Sequence, residues 1–311
     1  MKFLRKVRDK LFLNAMQSML HDSERRIESM LHQEREELIK KHSDWWTFTA
    51  KKIGSMILAA AQTNRETFLP FKNYCKGKKL VICGAGPSLA DFKPIDDAVY
   101  IALNRAVLFD KVDFDFLFVL DWYGIRHIQK EVLEYKGNNC VKLFAQNYAP
   151  TDWMFRINTP ESFVSACGGK RFCTDVFTHD GTLEYLFKSE FVVDIDRRPL
   201  GCFFNVFFEA VQFALYMNPE KIYLAGLDHK GGHFSYKNLS EDQKEKECQM
   251  ISETFDSALE KVRLLCEKLK DFASVYYPDT EIVSVNPVGL KGIFKDWYQA
   301  EGDEPDSRQN V

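Results

Sequence analysis

Residues 80–89, Leu-Val-Ile-Cys-Gly-Ala-Gly-Pro-Ser-Leu, decide the fold class of this chain. An apolar run without polar alternation describes a strand buried on both faces, as parallel strands are. The run stops at Gly84-Ala85-Gly86-Pro87-Ser88, where two glycines allow a sharp turn and a close approach of the backbone to a ligand. Ser88 is suited to cap a following helical turn, and its hydroxyl can donate to a phosphate oxygen. The stretch therefore predicts a phosphate-binding loop at the carboxyl end of the first strand of an α/β sheet. It completes neither of two familiar signatures: the Lys-Ser/Thr of a P-loop is missing, as is the third glycine of the dinucleotide fingerprint.

Outward from this loop, strand-like and helix-like segments alternate. Strands are predicted at 79–84, 98–103, 115–120, 141–146, 191–194, 221–226 and 281–285, and helices at 88–92, 124–134, 202–217 and 242–271. The alternation predicts an α/β, Rossmann-like, doubly wound and mostly parallel sheet. Residues 147–190 are irregular and aromatic-rich, with Gly168-Gly169 and His179-Asp180-Gly181, and read as a lid inserted over the site. The predicted organisation is an N-terminal helical region over 1–70, a Rossmann-like domain over 71–300, and a flexible acidic tail over 301–311.

The helical region has two characters. Leu4, Val7, Leu11, Phe12 and Leu13 form an apolar stripe against Lys2, Arg5, Lys6, Arg8 and Lys10. Such a helix lies on an anionic membrane surface, or packs on the body or on another subunit. Residues 22–43 are densely charged, with Ile27, Met30, Leu31, Leu38 and Ile39 at helical spacing, which offers a contact for a partner helix and hence for a homo-oligomer.

Composition sets the remaining bounds. The 311 residues are 45% hydrophobic with a net charge of −3, enough apolar content for a large core and no global case for nucleic-acid binding. Eight cysteines show no Cys-x-x-Cys and no zinc spacing, and Cys83, Cys202 and Cys266 sit in apolar runs. The expectation is a reduced, cytoplasmic protein without a protein-bound metal. No apolar run reaches the ~18 residues of a membrane span, and no signal peptide is expected.

Three strand ends carry candidate chemistry. The strand at 98–103 ends in Asn104-Arg105, where the amide offers donors and acceptors to a base or ribose and Arg105 pairs with a phosphate or with an acidic surface neighbour. The strand at 115–120 ends in Asp121, which either faces the ligand crevice or caps the helix beginning near Gly124. The strand at 221–226 runs into Gly226-Leu227-Asp228, followed by His229, Lys230, His233 and Tyr236 in a glycine-rich loop, a concentration of polar groups that packing alone does not explain. Asp194-Ile195-Asp196 has the letters of a metal-binding pair, but Arg197-Arg198 follow directly and are its ready partners.

Together, Gly84-Ala85-Gly86-Pro87-Ser88-Leu89, Asn104, and Tyr223-Leu224-Ala225-Gly226-Leu227-Asp228 with Tyr236 downstream resemble the bacterial sialyltransferases of glycosyltransferase family forty-two. They equally resemble the related motility accessory factor and archaeal hydroxymethylpterin pyrophosphokinase-like family. The resemblance spans about residues 79–290, with two specific blocks. It implies a CMP-sugar donor, plausibly a CMP-linked nonulosonic or similar acid, bound by Gly84, Gly86, Ser88 and Asn104; Ala85, Pro87, Arg105 and Asp228 complete the expected nucleotide site. It implies a leaving phosphate held by Tyr236 and, where the family has a second tyrosine, by Lys230. The family's downstream histidine base has no counterpart, since no His follows His233; His233, then His229 or Asp121, is the substitute.

The resulting expectation is a glycosyltransferase acting on a surface glycan or lipid-linked acceptor, with no required metal, on the inner membrane face. Two alternatives stand beside it. One is an ATP-dependent pyrophosphokinase-like transferase with Mg²⁺ on Asp121 and Asp228. The other is a catalytically degenerate nucleotide-binding scaffold.

Overall fold

The computed structural model describes residues 2–135, 139–147, 158–175, 190–201, 203, 205–228, 234 and 241–300. The chain divides into two compact units, Met1–Ser55 and Met56–Val311. Helix α1 (Lys2–Phe68) forms the first unit and supplies its last turns to the second, where Ala60, Asn64, Thr67 and Phe68 are buried. No helix among the described residues is long and apolar enough to cross a membrane.

The second unit holds one parallel sheet. Its described strands are β1 (Lys79–Cys83), β2 (Ala98–Leu103), β3 (Phe116–Val119), β4 (Val141–Asn147), β5 (Lys170–Asp175), β6 (Leu200–Gly201), β7 (Lys221–Ala225), β8 (Glu281–Val285) and β9 (Lys295–Trp297). Their order is β6-β5-β4-β3-β2-β1-β7-β8-β9, with every neighbouring pair parallel. The chain winds outward from β1 to β6, then resumes at β7 on the other side of β1. The reversal between β1 and β7 is the place where a doubly wound sheet opens a crevice at its carboxyl edge. Register keeps that edge level, because Cys83 lies opposite both Ala102 and Ala225.

Alternate residues of each strand feed two cores, the arrangement of a sheet covered on both faces. Leu80, Ile82, Phe118, Phe172 and Leu224 pack with Phe207, Phe208 and Phe213 of helix α5 (Val206–Tyr216) and with Leu265 and Leu269 of helix α6 (Glu241–Tyr276). Val81, Cys83, Leu117, Val119 and Tyr223 face the other way. There they meet Leu89 in a 3-10 turn (Pro87–Asp91), Ile125 in α2 (Trp122–Ile125), Val132 in α3 (Gln129–Glu134) and Val164 in α4 (Glu161–Ala166). The Asn205 side chain caps α5 by accepting from Phe207 N–H at 3.1 Å.

The doubly wound parallel sheet is present as expected, but its far edge corrects the reading of 147–190 as an irregular lid. Within that stretch residues 158–175 form α4 and β5, and β5 is an integral strand. Its sequence, Lys-Arg-Phe-Cys-Thr-Asp, hides this because tertiary partners hold it. Asn64 of α1, fully buried, accepts from Cys173 N–H at 2.6 Å and donates to the carbonyls of Cys173 and Arg198 at 3.1 and 3.0 Å. Thr67 donates to the Arg171 carbonyl. Residues 148–157 and 176–189 of the expected lid, and the tail from 301, lie outside the described residues.

Residues 191–194 form no ladder. The edge there is β6, and Gln212 of α5 bridges to it: its amide oxygen accepts from Val192 and Gly201 N–H, and its amide nitrogen donates to the Gly201 and Phe208 carbonyls. The predicted helix at 124–134 is two short helices, because the chain turns at Ile125–Ile128.

Candidate functional site

The described candidate site residues of the sequence lie at the carboxyl edge of β1, β2 and β7. Gly84 and Gly226, leaving β1 and β7, press their backbones together. A Cβ on Gly84 would stand 2.5 Å from the Gly226 carbonyl oxygen, and one on Gly226 would stand 2.5 Å from that of Gly84. Gly226 also has φ +67°, which side-chain-bearing residues rarely adopt. Gly86 is glycine for the same steric reason, since a Cβ there would meet the Asp228 carboxylate at 2.6 Å. Gly84 N–H donates to Ala225 and Gly86 N–H to Gly226, each at 2.8 Å, so the loop continues the β1–β7 contact beyond the sheet.

Asp228 is the electrostatic centre of this loop. It is 3% exposed and accepts from Ser88 N–H at 2.7 Å and from the Ser88 hydroxyl at 2.5 Å. Burial pushes its carboxyl above the ordinary range, and the two Ser88 bonds pull partly back. Ser88 sits inside the 3-10 turn, with Gly86 at the N-cap position and Pro87 first in the turn. Both Ser88 donors are thus taken by a carboxylate from the neighbouring strand. The space opposite Gly84 and Gly86 is taken by Gly226 and the Asp228 carboxylate, so both glycines serve the β1–β7 contact. Gly289, after β8, seals Asp228 from behind: a Cβ there would lie 2.1 Å from the Asp228 carbonyl oxygen.

Asn104 and Asp121 come together one strand further along. Asn104 leaves β2 with φ +47°, a left-handed conformation that asparagine tolerates better than most residues. Its amide fills the space that a side chain on Gly124 would occupy, with Nδ2 2.7 Å and Oδ1 3.0 Å from the position of a Cβ. Its Oδ1 is buried and has no hydrogen-bond partner among the described residues. An unmet buried acceptor costs about 1–3 kcal/mol. Asp121 accepts from Gly124 N–H at 2.6 Å and so holds α2 in place, the capping role among those open to it. Arg105 is buried in the 3-10 turn that follows Asn104.

Ala85 ties the loop to the segment after β7. Its carbonyl accepts from Phe234 N–H at 2.9 Å, and the Phe234 ring meets Phe109 edge-on at 6.0 Å. His229, Lys230, His233 and Tyr236 lie outside the described residues. A small recess lies beside Asp228, between the ends of β7 and β8, lined by Leu224, Leu227, Ser284, Asn286 and Leu290. Sequence reasoning missed Gly289 and Ser284, and read Gly124 only as the start of a helix. A lone glycine near a helix start and a serine in a strand carry no pattern that marks them.

No protein-family model matches the sequence, and no curated protein sequence matches it. Among solved structures, the sialyltransferase CstII from Campylobacter jejuni, in complex with the substrate analogue CMP-3FNeuAc, is similar to this chain. The match covers 67% of this chain and 80% of that one, at 13% identity and a TM-score of 0.34.

Proposed function

We propose that this chain is a glycosyltransferase that binds a CMP-activated sugar, a nonulosonic or similar acid, at the carboxyl edge of β1, β2 and β7. The observation that carries the reading is the buried, donor-less Asn104 Oδ1 beside the glycine loop at the sheet's reversal point. A cytosine amine or a ribose hydroxyl supplies the donor it lacks. Lys230 neutralises the leaving phosphate and the Tyr236 hydroxyl donates to it, while His233 accepts the proton of the acceptor hydroxyl as the bond from the anomeric carbon passes from phosphate to acceptor oxygen. The acceptor is a glycan or a lipid-linked sugar.

The test is a thermal-shift and calorimetric comparison of CMP, UDP, ATP and NAD, with and without magnesium, followed by CMP release from a CMP-sugar. Selective stabilisation by CMP is expected, together with turnover that Tyr236→Phe and His233→Asn reduce at unchanged melting temperature. Equal indifference to all the nucleotides refutes the proposal. ATP binding that requires magnesium replaces it with the pyrophosphokinase-like reaction, and CMP binding without turnover replaces it with the scaffold reading.

A further inference from the structure

The first unit carries a surface that the site does not use. Between residues 16 and 45 of α1, Met16, Met19, Leu20, Ile27, Met30, Leu31 and Leu38 are all exposed, from 47% at Met16 to 71% at Met19. They are not scattered. Met16, Leu20, Ile27, Leu31 and Leu38 follow one another at intervals of four, seven, four and seven residues. This is an eleven-residue period, close to three turns of helix, which keeps the stripe on one face and winds paired helices with little or right-handed supercoil. Met19 and Met30, eleven apart, widen the same face. Helices in water draw most of their stability from packing an apolar face, and this face is bare in the single chain.

We propose that this stripe pairs antiparallel with the same stripe of a second copy of the chain. Two features select that occupant. Residues 16–45 carry five Lys or Arg against seven Asp or Glu with the signs interleaved, which suits a helix partner and not an anionic lipid surface. The spacing also reads the same in both directions about Ser29. An identical helix laid antiparallel there sets Leu20 against Leu38 and Ile27 against Leu31, each twice by the twofold symmetry.

The experiment is sedimentation velocity on the full-length protein, wild type and the double variant Ile27→Glu, Leu31→Glu. Body integrity is followed by melting of the second unit. A dimer at micromolar concentration that the double variant converts to monomer, at unchanged melting temperature, is the expected result. Orientation is read by disulfide trapping: a mixture of Leu20→Cys and Leu38→Cys proteins links to each other. A monomeric wild type overturns the proposal, as does a dimer that survives the double variant. Leu20→Cys linking to itself in preference to Leu38→Cys overturns the antiparallel pairing. A wild type that stays monomeric and sediments with phosphatidylserine vesicles assigns the stripe to lipid.

Discussion

Replacing Asn104 by glycine separates a binding residue from a structural one, because the two roles predict opposite effects. Asn104 holds φ +47°, which glycine adopts without steric strain, so the backbone of the turn survives. Glycine adds about 0.5–1 kcal/mol of unfolded-chain entropy, which opposes folding. Against this, the variant removes the buried Oδ1 that has no donor, relieving about 1–3 kcal/mol of unmet desolvation. The two contributions leave the free protein between unchanged and about 2.5 kcal/mol more stable, which for a body of this size is a rise in melting temperature of about 0–10 °C. Binding moves the other way. A ligand donor that meets Oδ1 in the wild type finds nothing in the variant, so affinity for CMP falls by about 1–3 kcal/mol, or roughly five- to 150-fold. The assay pairs thermal melting of the free protein with calorimetric titration of CMP on the same preparations. A variant that melts well below the wild type while binding CMP equally refutes the reasoning, since Asn104 would then be a structural residue.

Three further outcomes follow from the same geometry. Asn64→Ala strips one donor and two acceptors in β5 and the approach to β6 of their partner at a fully buried site, and is expected to cost about 3–5 kcal/mol in urea unfolding; a loss under about 1 kcal/mol would show that the bridge is dispensable. Gly226→Ala combines a left-handed backbone with a Cβ 2.5 Å from the Gly84 carbonyl oxygen, and is expected to lower stability by about 2–5 kcal/mol and abolish nucleotide binding; a variant with wild-type melting would refute the close β1–β7 contact. Asp228→Asn tests linkage. Burial raises the folded pKa of Asp228 above its ordinary 3.8, so its contribution is full below that value and lost as pH rises through the folded pKa. Measured by urea unfolding from about pH 4 to about pH 7, the wild type should lose stability relative to the variant as pH increases, and parallel curves would contradict the assignment.

Much of the scaffold was legible because strands buried on both faces must be apolar throughout. Leu80–Cys83, Phe116–Val119 and Ile222–Ala225 announce themselves this way, and the glycines after β1 and β7 mark where each strand stops. The site edge was legible for the same reason: Asn104, Asp121 and Asp228 each follow such a run. β5 was not, because its polar ends are satisfied by Asn64 and Thr67, more than a hundred residues away in sequence. Nor was the commitment of Ser88.

Local pattern alone determined that this chain builds a parallel sheet with a glycine turn after its first strand, since burial and turn sterics act on neighbours in sequence. Only the tertiary structure decided that both Ser88 donors go to Asp228, that Gly124 makes room for the Asn104 amide, and that the acceptor of that amide is left without a donor. Those facts depend on which strand ends meet, and the pairing of β1 with β7 across more than a hundred residues is set by the packing of the whole sheet.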